Sequence, residues 1–370
     1  MKKIIIGILL VMFTFISSIN AYADEKSVEY KINISIEQAI EEAIKNSTNL
    51  KTSDLDIEIK EIELDEAKHT EKKYDNSDIS LGTVEGFQLD ANMMSKKAEY
   101  ALEEEKIKKN YKKEDIKHNV TQAYYGSLNA REYMNVAKDN LENVQRNRDI
   151  VNKKYELGVA SKSDLIMADI SLNEAKANFE KSKTDLEKAY RSLNMTLNYP
   201  LNTKIELTSS FKEEIFNEDL NKDLEKAYES RFDIIQMNHN YELVKLDFET
   251  NSIMYPSNTY KYKTKERNLA KIESGLADVK NIVEFDIRGK YDDVINAQNQ
   301  IELAKANVEK TKEVLRLKEF SYNVELGTLL EVDNALNQLY NSQISLSNAI
   351  SSYNLAVIDY NKAVNIGNIK

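Results

Sequence analysis

One short stretch occurs twice, and that repetition constrains the fold more than any other feature of the chain. The first copy covers residues 155–168 and the second 322–335, at a constant offset of 167. Tyr155, Ser161, Asp164 and Ala168 stand opposite Tyr322, Thr328, Glu331 and Ala335. Beyond each copy, apolar and small residues recur at steps of three and four. One series runs Leu165, Ala168, Leu172, Ala175, Phe179; its twin runs Val332, Ala335, Leu339, Ser342, Leu346. The same spacing extends upstream through Val151, Val144 and Ala137, and through Leu315, Val308 and Ala304. This is the periodicity of helices with heptad seams. Each copy therefore reads as a tight turn between two long antiparallel helices, within an internal duplication.

The turns themselves are legible. Ser161 with Asp164, and Thr328 with Glu331, have capping-box spacing, in which a hydroxyl and a carboxylate satisfy the free amides of a new helix. Gly158 supplies a left-handed backbone at low cost where the first helix stops. Small residues along the seams allow two helices to approach closely.

A second register links the beginnings of the halves. Ser35 and Gln38 form another capping box, opening a helix with Ile36, Ala39, Ala43, Leu50 and Leu64 on one face. A matching series from Asp219 carries Leu224, Ala227, Ile234 and Phe248, at an offset of 184. The offset falls to 167 by the next helix, so the connection in the second half is shorter. The first connection, about 72–89, carries Gly82 and Gly86 and alternates at Ile79, Leu81, Phe87 and Leu89, a small-hairpin pattern. The second, about 251–265, contains Pro256 and several lysines. Long helices over about 91–155 and its equivalent follow, with Gly126, Gly275 and Gly289 as sites for bends. The link 198–217 holds Pro200 and a short strand over 204–208. The sum is six helices in two repeats, an all-α fold with residues 24–216 as the first repeat with its linker and 217–370 as the second.

Residues 1–23 read as a cleaved signal peptide: Lys2 and Lys3, an apolar run from Ile4 to Ile19, and small residues at Ala21 and Ala23. A membrane anchor is the other reading, although sixteen residues are short for a spanning helix. The chain's 51 basic residues, less Lys2 and Lys3, are 49 against 62 acidic, a net charge of −13 for the mature form. That sign disfavours nucleic acid as a partner. Cysteine is absent, which excludes disulfides and thiolate metal sites. His69, His118 and His239 have no ligand-spaced neighbour, and no phosphate loop, nucleophile elbow or zinc motif occurs. Neither an enzyme nor any cofactor is expected.

The ordered set of motifs resembles the TolC-like outer-membrane efflux proteins. The resemblance is carried by the opening from Ile34 to Ala43, by Tyr155, Gly158, Ser161 and Asp164 in the first turn, by Leu339 to Gln343 in the last seam, and by the link from Pro200 to Leu207. It implies a homotrimer whose repeats form a helical tunnel, working with a periplasmic adaptor and an inner-membrane transporter to export solutes, in the cell envelope. A family barrel takes two spanning strands per repeat, of about 9–11 residues each. The two connections are too short for that, so little or no β-barrel is expected. On this resemblance the turns Gly158, Val159, Ala160 and Ser161, with Leu326, Gly327 and Thr328, would dock the adaptor. Glu331, Asp333, Asn334 and Asp164 would form the pore constriction. Helix capping alone is the other reading of Asp164 and Glu331. Glu325 stands where the family has glycine. Two functions stay open: an exported conduit for small molecules or peptides, or a non-transport helical spacer of the cell envelope built on the same scaffold.

Overall fold

The computed structural model describes residues 31–75, 82–212 and 215–367. Nine helices and two strands occur among them. In chain order these are β1 (Lys31–Ile34), α1 (Ile36–Asn46), α2 (Thr48–Asp75), α3 (Val84–Asp90), α4 (Met93–Glu156) and α5 (Lys162–Thr196). They continue with β2 (Lys204–Leu207), α6 (Leu220–Ser230), α7 (Phe232–Met254), α8 (Tyr260–Asn323) and α9 (Leu329–Asn365). The proposed signal peptide lies outside the described residues.

The duplication is present at the level of helix ends. Ser35 and Asp219 are both N-caps, 184 apart. Ser161 and Thr328 are both capping-box N-caps, 167 apart. The two long helices, α4 and α8, have 64 residues each, which at the rise of an α-helix is about 96 Å. Both run unbroken through the glycines at 126, 275 and 289.

Two expectations need correction. The first helix of each repeat is not continuous but broken, at Ser47 and at Arg231, again 184 apart. Neither site carries proline or glycine; a local cap marks the break at Ser47, and tertiary contacts hold the one at Arg231. Ser47 takes an extended backbone, and its hydroxyl accepts from the Leu50 amide at 3.3 Å. Arg231 is buried, donating to Asp233 at 2.6 Å, to Asp286 at 3.0 Å and to the Ala363 carbonyl at 3.0 Å. Tyr111 of α4 donates to the Ser230 carbonyl just before this break, and burial pushes its phenol up to about 12. The second correction concerns the hairpin expected in the first connection. Phe87 and Leu89 lie in α3, a short helix whose Thr83 N-cap accepts from the Gly86 amide at 3.2 Å. Alternation over so few residues does not separate a strand from one helical turn. Ile79 and Leu81 lie outside the described residues.

The strand expected in the link is β2, and it pairs in parallel with β1, aligning Lys31 with Lys204 and Ile34 with Leu207. Tyr124 of α4 fixes this sheet, donating to the Ile34 carbonyl and accepting from the Ser209 amide, both at 2.9 Å. No further strand occurs among the described residues, and no helix there is long and apolar enough to cross a membrane.

Three of the five buried clusters among the described residues make up most of the core. One joins the sheet to α1, α4 and α5 through Ala39, Ala43, Val120, Tyr124 and Leu193. Its counterpart in the second repeat joins α6, α7, α8 and α9 through Ala227, Ile234, Ile287 and Tyr360. Val120 and Leu193 correspond to Ile287 and Tyr360 at the offset of 167, so the two halves bury equivalent positions. The third cluster interleaves the two hairpins: Val144 of α4, Leu172 and Ala175 of α5, Val308 and Leu315 of α8, and Val332, Ala335 and Leu339 of α9. All eight are seam positions.

Candidate functional site

Both tight turns lie at the same end of the molecule and touch. Val151 and Ala168 of the first repeat share a buried cluster with Leu329 of the second, and Ala160 and Tyr322 pack on it. Lys154 crosses between them, donating to the Tyr322 carbonyl at 2.9 Å with its ammonium 3.8 Å from the Tyr322 ring centre. The ion therefore meets both the carbonyl dipole and the ring's negative face.

Each turn is a Schellman ending. In the first, the Gly158 amide donates to the Tyr155 carbonyl at 2.9 Å and the Val159 amide to the Lys154 carbonyl at 2.8 Å. In the second, Glu325 donates to Tyr322 at 3.3 Å and Leu326 to Ser321 at 2.9 Å. The left-handed residue is Gly158 at φ 76° in one and Glu325 at φ 64° in the other. Gly327 has another reason to be small. A Cβ there would lie 3.1 Å from Ser321 Cβ and from the Tyr322 amide nitrogen.

Capping boxes then start the returning helices. The Asp164 carboxylate accepts from the Ser161 amide at 2.8 Å and hydroxyl at 2.7 Å, while the Ser161 hydroxyl accepts from the Asp164 amide at 3.1 Å. Glu331 accepts from the Thr328 amide at 3.1 Å and also from the Lys318 ammonium at 2.8 Å. The Lys318 hydrogen bond, then the Thr328 amide, hold the Glu331 carboxyl below its ordinary value. Lys318 has no counterpart in the first turn, where the equivalent residue is the fully buried Val151. Asp164 and Glu331, equivalent in sequence, therefore differ in charge environment.

The tip is apolar and open. Leu157 is 79% exposed and Leu326 85%, with Val159, Val324 and Leu330 exposed beside them. Leu157, Val324 and Leu330 were not singled out from the sequence; a seam pattern marks what faces in, not what projects from a turn. Asn334 is exposed on α9, while its neighbour Asp333 is only 8% exposed. Asp333 points into the seam between the repeats, accepting from Asn147 Nδ2 at 3.1 Å and Ser171 Oγ at 3.2 Å. Burial raises its carboxyl, and the nearby Glu174 charge adds to the rise.

The histidines prove less isolated than their spacing suggests. His118 Nε2 lies 2.6 Å from Asp359, and His239 Nδ1 lies 3.1 Å from Glu104 while its ring stacks on Tyr100. Both contacts join the first repeat to the second, through partners more than a hundred residues away in sequence.

No family model matches the sequence, and no curated protein matches it either. Solved structures do. A membrane protein from Pseudomonas aeruginosa superposes with a TM-score of 0.72 at 11% identity, over 94% of this chain and 95% of that one. The CusC channel gives 0.69 at 14% identity, over 94% and 96% of the two chains. The CmeC outer-membrane channel of Campylobacter jejuni gives 0.63 at 14% identity, over 89% and 85%. At such identities the likeness is one of fold.

Proposed function

We propose that this chain, whose fold is that of the TolC-like outer-membrane channels, is the duct component of an export system in the cell envelope. The observation that carries the reading is the paired turn end. Two rigid, capped turns stand side by side and expose Leu157, Val159 and Leu326 with little apolar support around them. Apolar tips on preorganised loops suit docking against another protein, because the loops lose little freedom on binding. The occupant would be the helical tips of an adaptor protein, held against Gly158, Val159, Ala160 and Ser161 and against Leu326, Gly327 and Thr328. The adaptor would in turn engage a membrane transporter.

A homotrimer fits the exposed apolar residues on the flanks. Leu55, Ile59 and Ile62 form a stripe on α2, and Ile282 and Phe285 project from α8, with Phe285 82% exposed. A closed ring would cover such faces. In that ring, Glu331, Asp164 and Asn334 would stand at the mouth, with Asp333 set behind them in the seam. Because Lys318 accompanies each Glu331, the mouth would carry less net negative charge than three free carboxylates.

The test is binding of the purified full chain to an adaptor protein from the same cell, sought first among the products of neighbouring genes. Gly158→Trp and Leu326→Asp should abolish binding while circular dichroism stays helical. Normal binding by both variants would remove the docking assignment. Absence of any adaptor interaction by the parent chain would favour the non-transport spacer.

A further inference from the structure

Behind the turns, the seam between the repeats is interrupted by a polar cavity of about 30 Å³. Three helices converge on it. Asn140 comes from α4; Ser171, Glu174 and Asn178 from α5; Asp333 and Asn337 from α9. Val144, Ala175 and Leu336, which belong to the apolar seam cluster, complete its lining. A polar pocket inside an apolar seam costs stability unless its groups are satisfied.

Not every polar group in its lining has a protein partner among the described residues, although none is a fully enclosed orphan atom. Asn140 is 7% exposed, lines the cavity, and has no hydrogen-bond partner among the described residues. Asp333 is a buried carboxylate, and neither it nor Glu174 forms an ion pair among the described residues. Some carboxylates at helix contacts elsewhere in this chain find cations, as Asp286 and Asp233 meet Arg231 and Asp247 meets Lys265 at 2.5 Å, while buried Glu71 accepts from the Ser95 amide. Here two negative groups face a cavity with no lysine or arginine in its lining.

We propose that this cavity binds a hard, oxygen-liganded divalent cation, calcium being the ion its donors fit. Asp333 and Glu174 supply the charge. The amide oxygens of Asn140, Asn178 and Asn337 and the Ser171 hydroxyl supply neutral oxygen donors. The hydrogen bonds that Asp333 accepts leave a second lone pair on each of its oxygens. Calcium accepts six to eight oxygen ligands in flexible geometry, whereas magnesium demands a near-ideal octahedron and gives up water reluctantly. No nitrogen or sulfur ligand is present to favour zinc or copper. The exposed Glu174, Asn178 and Asn337 form the entrance, and Asp333 with Asn140 the floor. With two carboxylates rather than three or more, affinity belongs to the weak range of extracellular calcium modules, on the order of 10⁻⁴–10⁻³ M. The bound ion would tie α9 of the second repeat to α4 and α5 of the first, two residues beyond Glu331.

The experiment titrates the full chain, freed of metal by a chelator, with calcium chloride in a calorimeter, and follows thermal unfolding in parallel. One saturable site is expected, together with a rise in Tm of about 2 °C or more at 10 mM calcium. Magnesium should act more weakly, and choline chloride of matched ionic strength not at all. Glu174→Gln, on the exposed side and without structural contacts, should weaken calcium binding at least tenfold. Asp333→Asn should abolish the calcium response while its metal-free Tm is no lower than the parent's. Absence of saturable heat up to 10 mM calcium would overturn the assignment and leave the cavity to ordered water. A Glu174→Gln variant with parental affinity, or an equal response to choline chloride, would overturn it too.

Discussion

Glu325 offers the sharpest test of how the duplicated turns are built. It holds φ 64°, in the same Schellman position as Gly158 at φ 76°. A residue with a Cβ is disfavoured in the left-handed region by about 1–2 kcal/mol. Glu325 is exposed and has no side-chain partner among the described residues to repay that cost. Glycine at 325 removes the strain but loses about 0.5–1 kcal/mol through its greater freedom in the unfolded chain. The net expectation for Glu325→Gly is a gain of about 0.5–1 kcal/mol. Gly158→Glu should lose a similar amount, since a Cβ at 158 meets nothing within 4 Å and only the torsion is at stake. Urea unfolding followed by circular dichroism, at equal m-values, reads both changes. If Glu325→Gly leaves the midpoint unchanged or lowers it while Gly158→Glu is neutral, torsional strain is not what distinguishes the two turns.

Other outcomes follow from the same geometry. Arg231→Met should destabilise by about 2–4 kcal/mol in thermal unfolding, because Asp233, Asp286 and the Ala363 carbonyl lose a buried donor. Glu331→Gln keeps an acceptor for the Thr328 amide, so helicity should persist. The parent's Glu331 carboxyl is lowered, so its contribution is present above the ordinary carboxylate value and lost as pH falls through the lowered one. Stability of the variant should therefore fall less steeply on acidification below about pH 4.5. Asp333 has the opposite sign: its raised carboxyl favours the fold when protonated, and that benefit disappears as pH rises through the raised value. In metal-free buffer, Asp333→Asn should match or exceed the parent at pH 7 by about 1 kcal/mol or less, and the difference should close as pH falls toward 4. Tyr360→Phe should cost about 1–2 kcal/mol, as its hydroxyl donates to Asp223 at 2.6 Å from a fully buried position.

The sequence alone determined the two-repeat plan, because the features that specify it are local. Heptad spacing, the capping pairs Ser35–Gln38, Ser161–Asp164 and Thr328–Glu331, and the left-handed preference of Gly158 act within a few residues of chain. They fix where helices start, which face turns inward, and that both turns share one end. Tertiary structure decided what depends on distant partners. Arg231 breaks its helix without proline or glycine, because its guanidinium is drawn to Asp286 and the Ala363 carbonyl across the fold. β1 exists because β2, some 170 residues on, gives its backbone a partner. His118 and His239 acquire carboxylates from other helices, and Asp164 and Glu331 diverge because Lys318 replaces Val151 in the neighbouring turn of helix. Asp333 and Asn334, adjacent in sequence, are separated into seam and surface by the 100° that one helical residue turns, and only the packing of three helices around Asp333 makes its burial a site.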